Sequence, residues 1–276
     1  MEIKDKIEYI KTWLSTYINK SPCKGFVVGV SGGIDSAVVS ALCAQTGLPT
    51  MLVMIPHRAK QSAVKDQFQR AVKYVNKMAK LYPNVETTTI HLDAIWEVFW
   101  NMITYNDIRF SLSELPYVNS KSRLRMVILY HIASSLQYVV TGTGNKVEDF
   151  GIGFFTKYGD GGVDISPIGD LYKSEVYELA YELGVSQEII DAVPTDGLWY
   201  DNRSDESQIG ATYDELEWVM KRCPEIVNSG YNPQRTWFEM TDRQYEVIQT
   251  FVKHRERNLH KMKPIPICMI PKSKCV

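Results

Sequence analysis

Ser31-Gly-Gly-Ile-Asp-Ser36 packs two serines, two glycines and an aspartate, residues suited to phosphate and metal chemistry, into one short turn. Two glycines let the backbone come close to a ligand, and a turn that runs into a helix N-terminus aims its N–H groups at an anion. Ser31 and Ser36 can donate to phosphate oxygens, and Asp35 can hold Mg²⁺ against them. The turn lacks the lysine of a Walker A loop and the third glycine of the dinucleotide fingerprint. With no lysine in the loop, metal and backbone must neutralise the charge. The plainer alternative is a connecting turn in which Asp35 caps the next helix.

A second group of chemically capable residues lies downstream, in Thr141-Gly-Thr-Gly-Asn-Lys-Val-Glu-Asp149, Phe154-Phe-Thr-Lys-Tyr-Gly-Asp-Gly-Gly-Val-Asp164 and Asp170-Leu-Tyr-Lys173. Glu148 adds a second carboxylate; Mg²⁺ sites use one or two carboxylates together with phosphate. Lys157 and Lys173 are point charges able to follow phosphate. Asp160 and Asp164 are acceptors for ribose hydroxyls or ammonium. Arg123, at the head of a helix, offers a fork that can grip phosphate bidentately. Taken singly, Lys157, Lys173, Asp160 and Asp164 are more often solvated surface charges, Glu148 and Arg123 have the same plain alternative, and a lone tail pair such as His260-Lys261 usually carries no function. Their co-occurrence carries the weight.

The elements that must position these groups follow from periodicity. Ile3, Ile7, Ile10, Leu14 and Ile18 recur at helical spacing. Gly25–Val30 is a short apolar run of strand length ahead of the glycine-rich turn. Residues 35–46 read as a helix closed by Gly47. Strands are expected at 50–55, 86–92 and 137–141, and helices at 61–81, 93–105 and 118–136. This alternation predicts an α/β fold, a doubly wound parallel sheet of Rossmann-like type. Ligands in such sheets bind beyond the carboxyl ends of the strands, where the turn at 31–36 lies. Residues 144–170 form a loop too long to be an idle connection. Helices resume at 172–183, 212–222 and 242–258, giving a helical C-terminal part. A single domain over 1–276 is expected, with the sheet core at about 20–145 and substrate loops and helices at about 146–276.

Ser-Gly-Gly-x-Asp-Ser after a first strand resembles the PP-loop of the N-type ATP pyrophosphatases, the adenine-nucleotide alpha-hydrolase-like fold. The run Phe154–Asp164, after Gly-Thr and Glu148, is similar to the ammonia-dependent NAD synthetases within that superfamily. So are Ala192-Val-Pro-Thr-Asp196, Asp205-Glu-x-x-Ile-Gly210 and the His260-Lys261 tail. The resemblance implies ATP-dependent amidation of deamido-NAD by ammonia through an acyl-adenylate, with AMP and pyrophosphate released. It implies ATP contacts from Gly29, Val30, Ser31, Gly32, Gly33, Ile34, Asp35, Ser36, Thr143, Lys173 and Thr195. Asp35 and Glu148 would hold Mg²⁺, and Arg123, Lys157, Asp164, His260 and Lys261 the dinucleotide. Asp35, Glu148, Lys173 and Asp160 would be the catalytic set, with Asp160, Asp205 or Glu206 taking the proton from ammonium. Many bacterial members carry Arg-Leu-Pro after the second strand where this chain has Met54-Ile-Pro56, so the arginine contact to ATP is either missing or supplied by Arg58, with Gln61 a polar neighbour. The loop between Glu148 and Phe154 also runs one residue longer than the common pattern.

Bulk properties narrow the class further. Net charge is −1, with 45% hydrophobic and 23% charged residues; no broad basic field draws the chain to nucleic acid or membrane. That weighs against the runner-up, a tRNA-thiolation enzyme. A passive nucleotide-binding module has no use for an Asp35/Glu148 pair. The five cysteines lack Cys-x-x-Cys spacing, the N-terminus has no signal-peptide pattern, and no apolar run reaches ~20 residues. A cytoplasmic enzyme is expected. The first strand starts near residue 25, leaving no room upstream for an amidohydrolase domain, so free ammonia is the expected nitrogen donor. The stripe Ile95, Trp96, Phe99, Trp100 and Ile103, widened by Met102, with Met126, Leu129, Tyr130 and Ile132 on the next helix, has core packing as its more common fate. It is a heavy load for a peripheral helix, however, and with the dimers that the resemblance implies a homodimer is expected. Residues 106–116 and 198–209 are expected to order on ligand binding.

Overall fold

A computed structural model describes residues 1–57, 62–106, 114–195, 203–229 and 240–270. Four strands run parallel in the order β3-β2-β1-β4: β1 at Phe26–Gly29, β2 at Thr50–Met54, β3 at Val85–Thr89 and β4 at Val139–Thr141. Phe26 is in register with Thr50 on one side and with Val139 on the other. The chain order reverses between β1 and β4, which puts a switch point at the carboxyl end of β1, beside the Ser31–Ser36 turn.

Alternation along β1 sorts its side chains between two cores, as the two-residue period of a strand requires. Phe26 and Val28 face one apolar layer, closed by α1 (Ile3–Lys20), α2 (Ile34–Gln45), α3 (Ser62–Leu81), α6 (Lys173–Glu182) and α7 (Gln187–Ile190). Val27 faces the other, with Val53, Leu92, Trp96, Ala133 and Val140, closed by α4 (Asp93–Asn106) and α5 (Glu114–Leu136). Val27, Val28 and Leu52 are wholly buried, each contributing about 1.5–3 kcal/mol relative to an exposed position. The doubly wound expectation is borne out.

A third apolar cluster lies off the sheet. It joins a π-helix (Lys146–Ile152) to α8 (Asp205–Ile209), α9 (Tyr213–Arg222), α10 (Pro224–Ser229) and α11 (Asp242–Met262) around Leu216, Val219 and Phe251. Periodicity did not foretell the π-helix, which occupies the start of what reads as a long loop. The expected strand at 86–92 ends at Thr89, and α5 begins at Glu114 rather than 118. Among the described residues, no helix is long and apolar enough to cross a membrane.

Candidate active site

The turn after β1 is held open by its own serines. Ser31 N–H donates to Ser36 Oγ at 3.3 Å, Gly33 N–H donates to Ser31 Oγ at 3.2 Å, and Ser36 Oγ donates to the Gly33 carbonyl at 2.9 Å. Gly33 caps α2 without a side-chain hydrogen bond, so the first N–H groups of that helix are left for an anion. Gly32 sits at φ +88°, and a Cβ there would strike the Gln67 carbonyl of α3. A left-handed backbone pressed against a helix leaves room for glycine alone.

Asp35, in the first turn of α2, meets the second carboxylate through Lys173, the first residue of α6. Lys173 Nζ lies 2.6 Å from Asp35 Oδ2 and 3.0 Å from Glu148 Oε1. The π-helix carries Glu148, and Asn145 fixes its start. Asn145 Oδ1 accepts from Val147 and Glu148 N–H at 3.0 and 3.1 Å, while its Nδ2 donates to Asp35 Oδ1 at 3.1 Å. Tyr213, at the start of α9, donates its hydroxyl to Glu148 Oε1 at 2.5 Å. Burial opposes ionisation of Glu148, but Lys173 and Tyr213 outweigh it and hold its carboxyl below the ordinary range. Burial, reinforced by the Glu148 charge, pushes Asp35 up. Burial also disfavours the Lys173 cation, yet the two carboxylates overcome it and raise its pKa.

This arrangement suits a divalent cation. Both carboxylates already converge on one positive centre, and the oxygen donors around it are the hard ligands that Mg²⁺ takes. No group of three or more His, Cys, Asp or Glu suited to a metal occurs among the described residues. Phosphate oxygens would have to complete the shell, as is usual for Mg²⁺.

The turn, the carboxylates and the α11 tail open onto one cleft of about 890 Å³. Gly29, Val30, Ser31, Gly33, Ile34, Asp35, Ser36, Thr143, Glu148, Lys173 and Thr195 line it, together with Arg123, Lys157, Asp160, His260 and Lys261. Residues 230 positions apart in sequence thus share one cavity wall. At its mouth Arg123 Nε donates to the Lys157 carbonyl at 3.2 Å, Lys157 Nζ to the His260 carbonyl at 3.0 Å, and Lys261 Nζ to the Phe155 carbonyl at 2.5 Å. Burial lowers the Lys261 pKa to about 8. Asp160 accepts from Ser122 Oγ at 2.7 Å and from Thr156 N–H at 3.0 Å.

Two expected residues lie apart from the cleft lining. Gly32 faces α3, as described. Asp164 turns to the sheet edge, accepting from Tyr130 Oη at 2.9 Å and from Val140 N–H at 2.8 Å. Of the other proton acceptors considered for ammonium, Asp205 lines the cleft, whereas Glu206 accepts from the Tyr213 N–H at 2.9 Å. Arg58 and Gln61 lie outside the described residues, as do 107–113 and 198–202 of the segments expected to order on binding. Sequence reasoning missed Asn145, Tyr213 and Asp149. Asn145 is a typical helix-capping residue inside a run already singled out, and that was its available signal. Asp149 fills the space a Gly144 side chain would take.

The NAD synthase family model matches residues 6–265. A protein of Methanococcoides burtonii named NH(3)-dependent NAD(+) synthetase is 34% identical over 261 residues, covering 95% of this chain and 93% of its own. The solved structure of NMN synthetase from Francisella tularensis is 31% identical, covers 99% of this chain and 100% of its own, and superposes with a TM-score of 0.79. An NH3-dependent NAD synthetase from Campylobacter jejuni shares the fold at 24% identity and a TM-score of 0.72, covering 98% and 100%. With the PP-loop turn, its paired carboxylates and nearly the whole length matched, this chain belongs to the NAD synthase family.

Proposed function

We propose that the chain is a ligase that forms a C–N bond, amidating the nicotinate carboxylate of deamido-NAD with ammonia at the expense of ATP. The observation that carries this reading is Lys173 bridging Asp35 and Glu148 at the open end of α2, where a nucleotide's phosphates would be neutralised. A carboxylate is itself a nucleophile, so adenylation needs positioning and charge neutralisation rather than a covalent enzyme intermediate. The loop amides, Ser31 and Ser36 orient the phosphates, and Lys173 offsets charge as pyrophosphate departs. Mg²⁺ held by Asp35 and Glu148 would supply further neutralisation between the phosphates. Arg123, Lys157, His260 and Lys261 grip the nicotinate nucleotide at the cleft mouth. Asp160, on the cleft wall, accepts the proton as ammonium becomes the attacking ammonia.

Relatives of matching length that carry NH(3)-dependent names support free ammonia as the nitrogen source. The sheet and the helical C-terminal part contribute jointly to one cleft, which favours a single working unit, and a biosynthetic role of this kind fits the cytoplasm.

A second reading, amidation of nicotinate mononucleotide, is favoured by the full-length match to the F. tularensis NMN synthetase. Both substrates present the same carboxylate. Pyrophosphate release from ATP with ammonium and either deamido-NAD or the mononucleotide decides: the ratio of kcat/KM values names the substrate. Release with neither would overturn the amidation reading itself.

A further inference from the structure

Arg70 lies on α3, in the turn that presses on the phosphate loop. Its neighbours Gln67 and Ala71 present the carbonyl and amide that a Cβ on Gly32 would strike, so the helix touches the loop at its left-handed glycine. One turn further along, Lys73 ties α3 to α7 through Glu188 at 2.9 and 3.0 Å. The chain beyond α7, through Thr195, lines the same cleft as Arg70. Arg70 therefore lines the cleft from the turn of α3 that touches the phosphate loop.

Its Nε is buried and has no hydrogen-bond partner, and the guanidinium has no ion pair among the described residues. A buried, unpaired donor on a charged group costs free energy that folding alone does not return. Such an orphan calls for a partner from outside the chain, and in this cleft the phosphate loop beside it points to an anion. The loop has no lysine of its own, and Lys173 is already engaged by Asp35 and Glu148. We propose that Arg70 grips the pyrophosphate half of ATP, its planar fork taking two phosphate oxygens at once. This rests on the reading of the loop as an ATP site.

Full-length Arg70→Met and Arg70→Lys test it. Because the Nε makes no hydrogen bond that a side-chain truncation would lose, the ligand-free Tm should be unchanged or higher in Arg70→Met, opposite to the loss expected of a packing residue. The KM for ATP should rise about 10- to 100-fold, and calorimetry should show pyrophosphate binding weakened by a similar factor. AMP affinity and the KM for the nicotinate nucleotide should stay within about twofold. Arg70→Lys should recover part of the loss. A lowered Tm with ATP and pyrophosphate binding intact would overturn the proposal, as would weakened AMP binding with pyrophosphate unaffected. A wild-type enzyme that releases no pyrophosphate from ATP would break the underlying reading as well, and is told apart by that control.

Discussion

Lys173 with its two carboxylates makes single substitutions at the site unequal. Glu148→Gln or Asp35→Asn leaves the lysine one charged partner, whereas Lys173→Met leaves two carboxylates facing each other without a cation. Breaking a buried ion pair from one side costs about 3–5 kcal/mol, so Lys173→Met should be the least stable of the three in urea. Glu148→Gln and Asp35→Asn should each cut pyrophosphate release by about 100-fold or more at saturating Mg²⁺; near-normal turnover in either would remove it from the metal site. Lys261 gives a pH signature. Its folded pKa of about 8 lies below the ordinary 10.5 because burial opposes the charge. The unfolded chain therefore binds more protons between those values, and this group's contribution to folding stability rises with pH across that window. Contact with an anionic substrate runs the other way, since only the ammonium attracts phosphate. The kcat/KM for the nicotinate nucleotide should fall as pH rises through about 8, with no loss of fold from this group, and Lys261→Met should be low and flat there. An unchanged pH limb in the variant would remove Lys261 from the substrate site.

At the scale of elements, α9 joins the site twice along one face. Tyr213 reaches Glu148, and one turn later Glu217 accepts from Ser174 N–H at 2.8 Å and from Ser174 Oγ at 2.7 Å. Ser174 follows Lys173, so α9 sets the first turn of α6, and the lysine with it, against the π-helix. Burial alone would push the Glu217 carboxyl up, but Lys221 and the two Ser174 donors outweigh it and hold it below the ordinary 4.5. Its stabilising effect is present above that value and is lost as pH falls through the lower folded one. Glu217→Ala should cost about 1–3 kcal/mol by leaving the half-buried Ser174 donors unpaired. Glu217→Gln should cost less and remove this group's share of the acid slope, as denaturation at neutral and acid pH would show; equal slopes in wild type and Glu217→Gln would refute the linkage. None of this was legible in the sequence. Glu217 and Ser174 are 43 positions apart, Tyr213 and Glu148 are 65 apart, and neither spacing leaves a local pattern. The phosphate loop was legible because strand, turn and helix N-terminus are consecutive, and Glu148 and Lys173 because they sit in recognisable runs. The hydrogen bonds of Asp164 to Tyr130 and Val140 were not legible, since a carboxylate that accepts from a sheet edge looks in sequence like any other.

For the whole molecule, α4 presents two faces, and periodicity alone could not separate them. Trp96 is buried against the sheet, and Trp100 stacks on it at 5.7 Å while meeting Tyr117 edge-on at 4.7 Å. Those rings belong to the chain's own core. Ile95, Val98 and Met102, at helical spacing along α4, are 49%, 70% and 56% exposed. Apolar side chains grouped on one surface mark an interaction site more often than scattered ones do, and closed two-fold pairing is the commonest use of such a surface. The expected homodimer therefore rests on this outer stripe and not on the tryptophans. Sedimentation at micromolar concentration should show about twice the mass of one chain. Val98→Glu and Met102→Glu should yield folded monomers, because a charge at the centre of an apolar contact is left without solvent or partner. Trp100→Glu is the poorer test, since it would place a carboxylate among Trp96 and Tyr117 and lower the Tm of the single chain. Wild-type protein that sediments at the mass of one chain with full activity would refute the dimer, whatever the variants do.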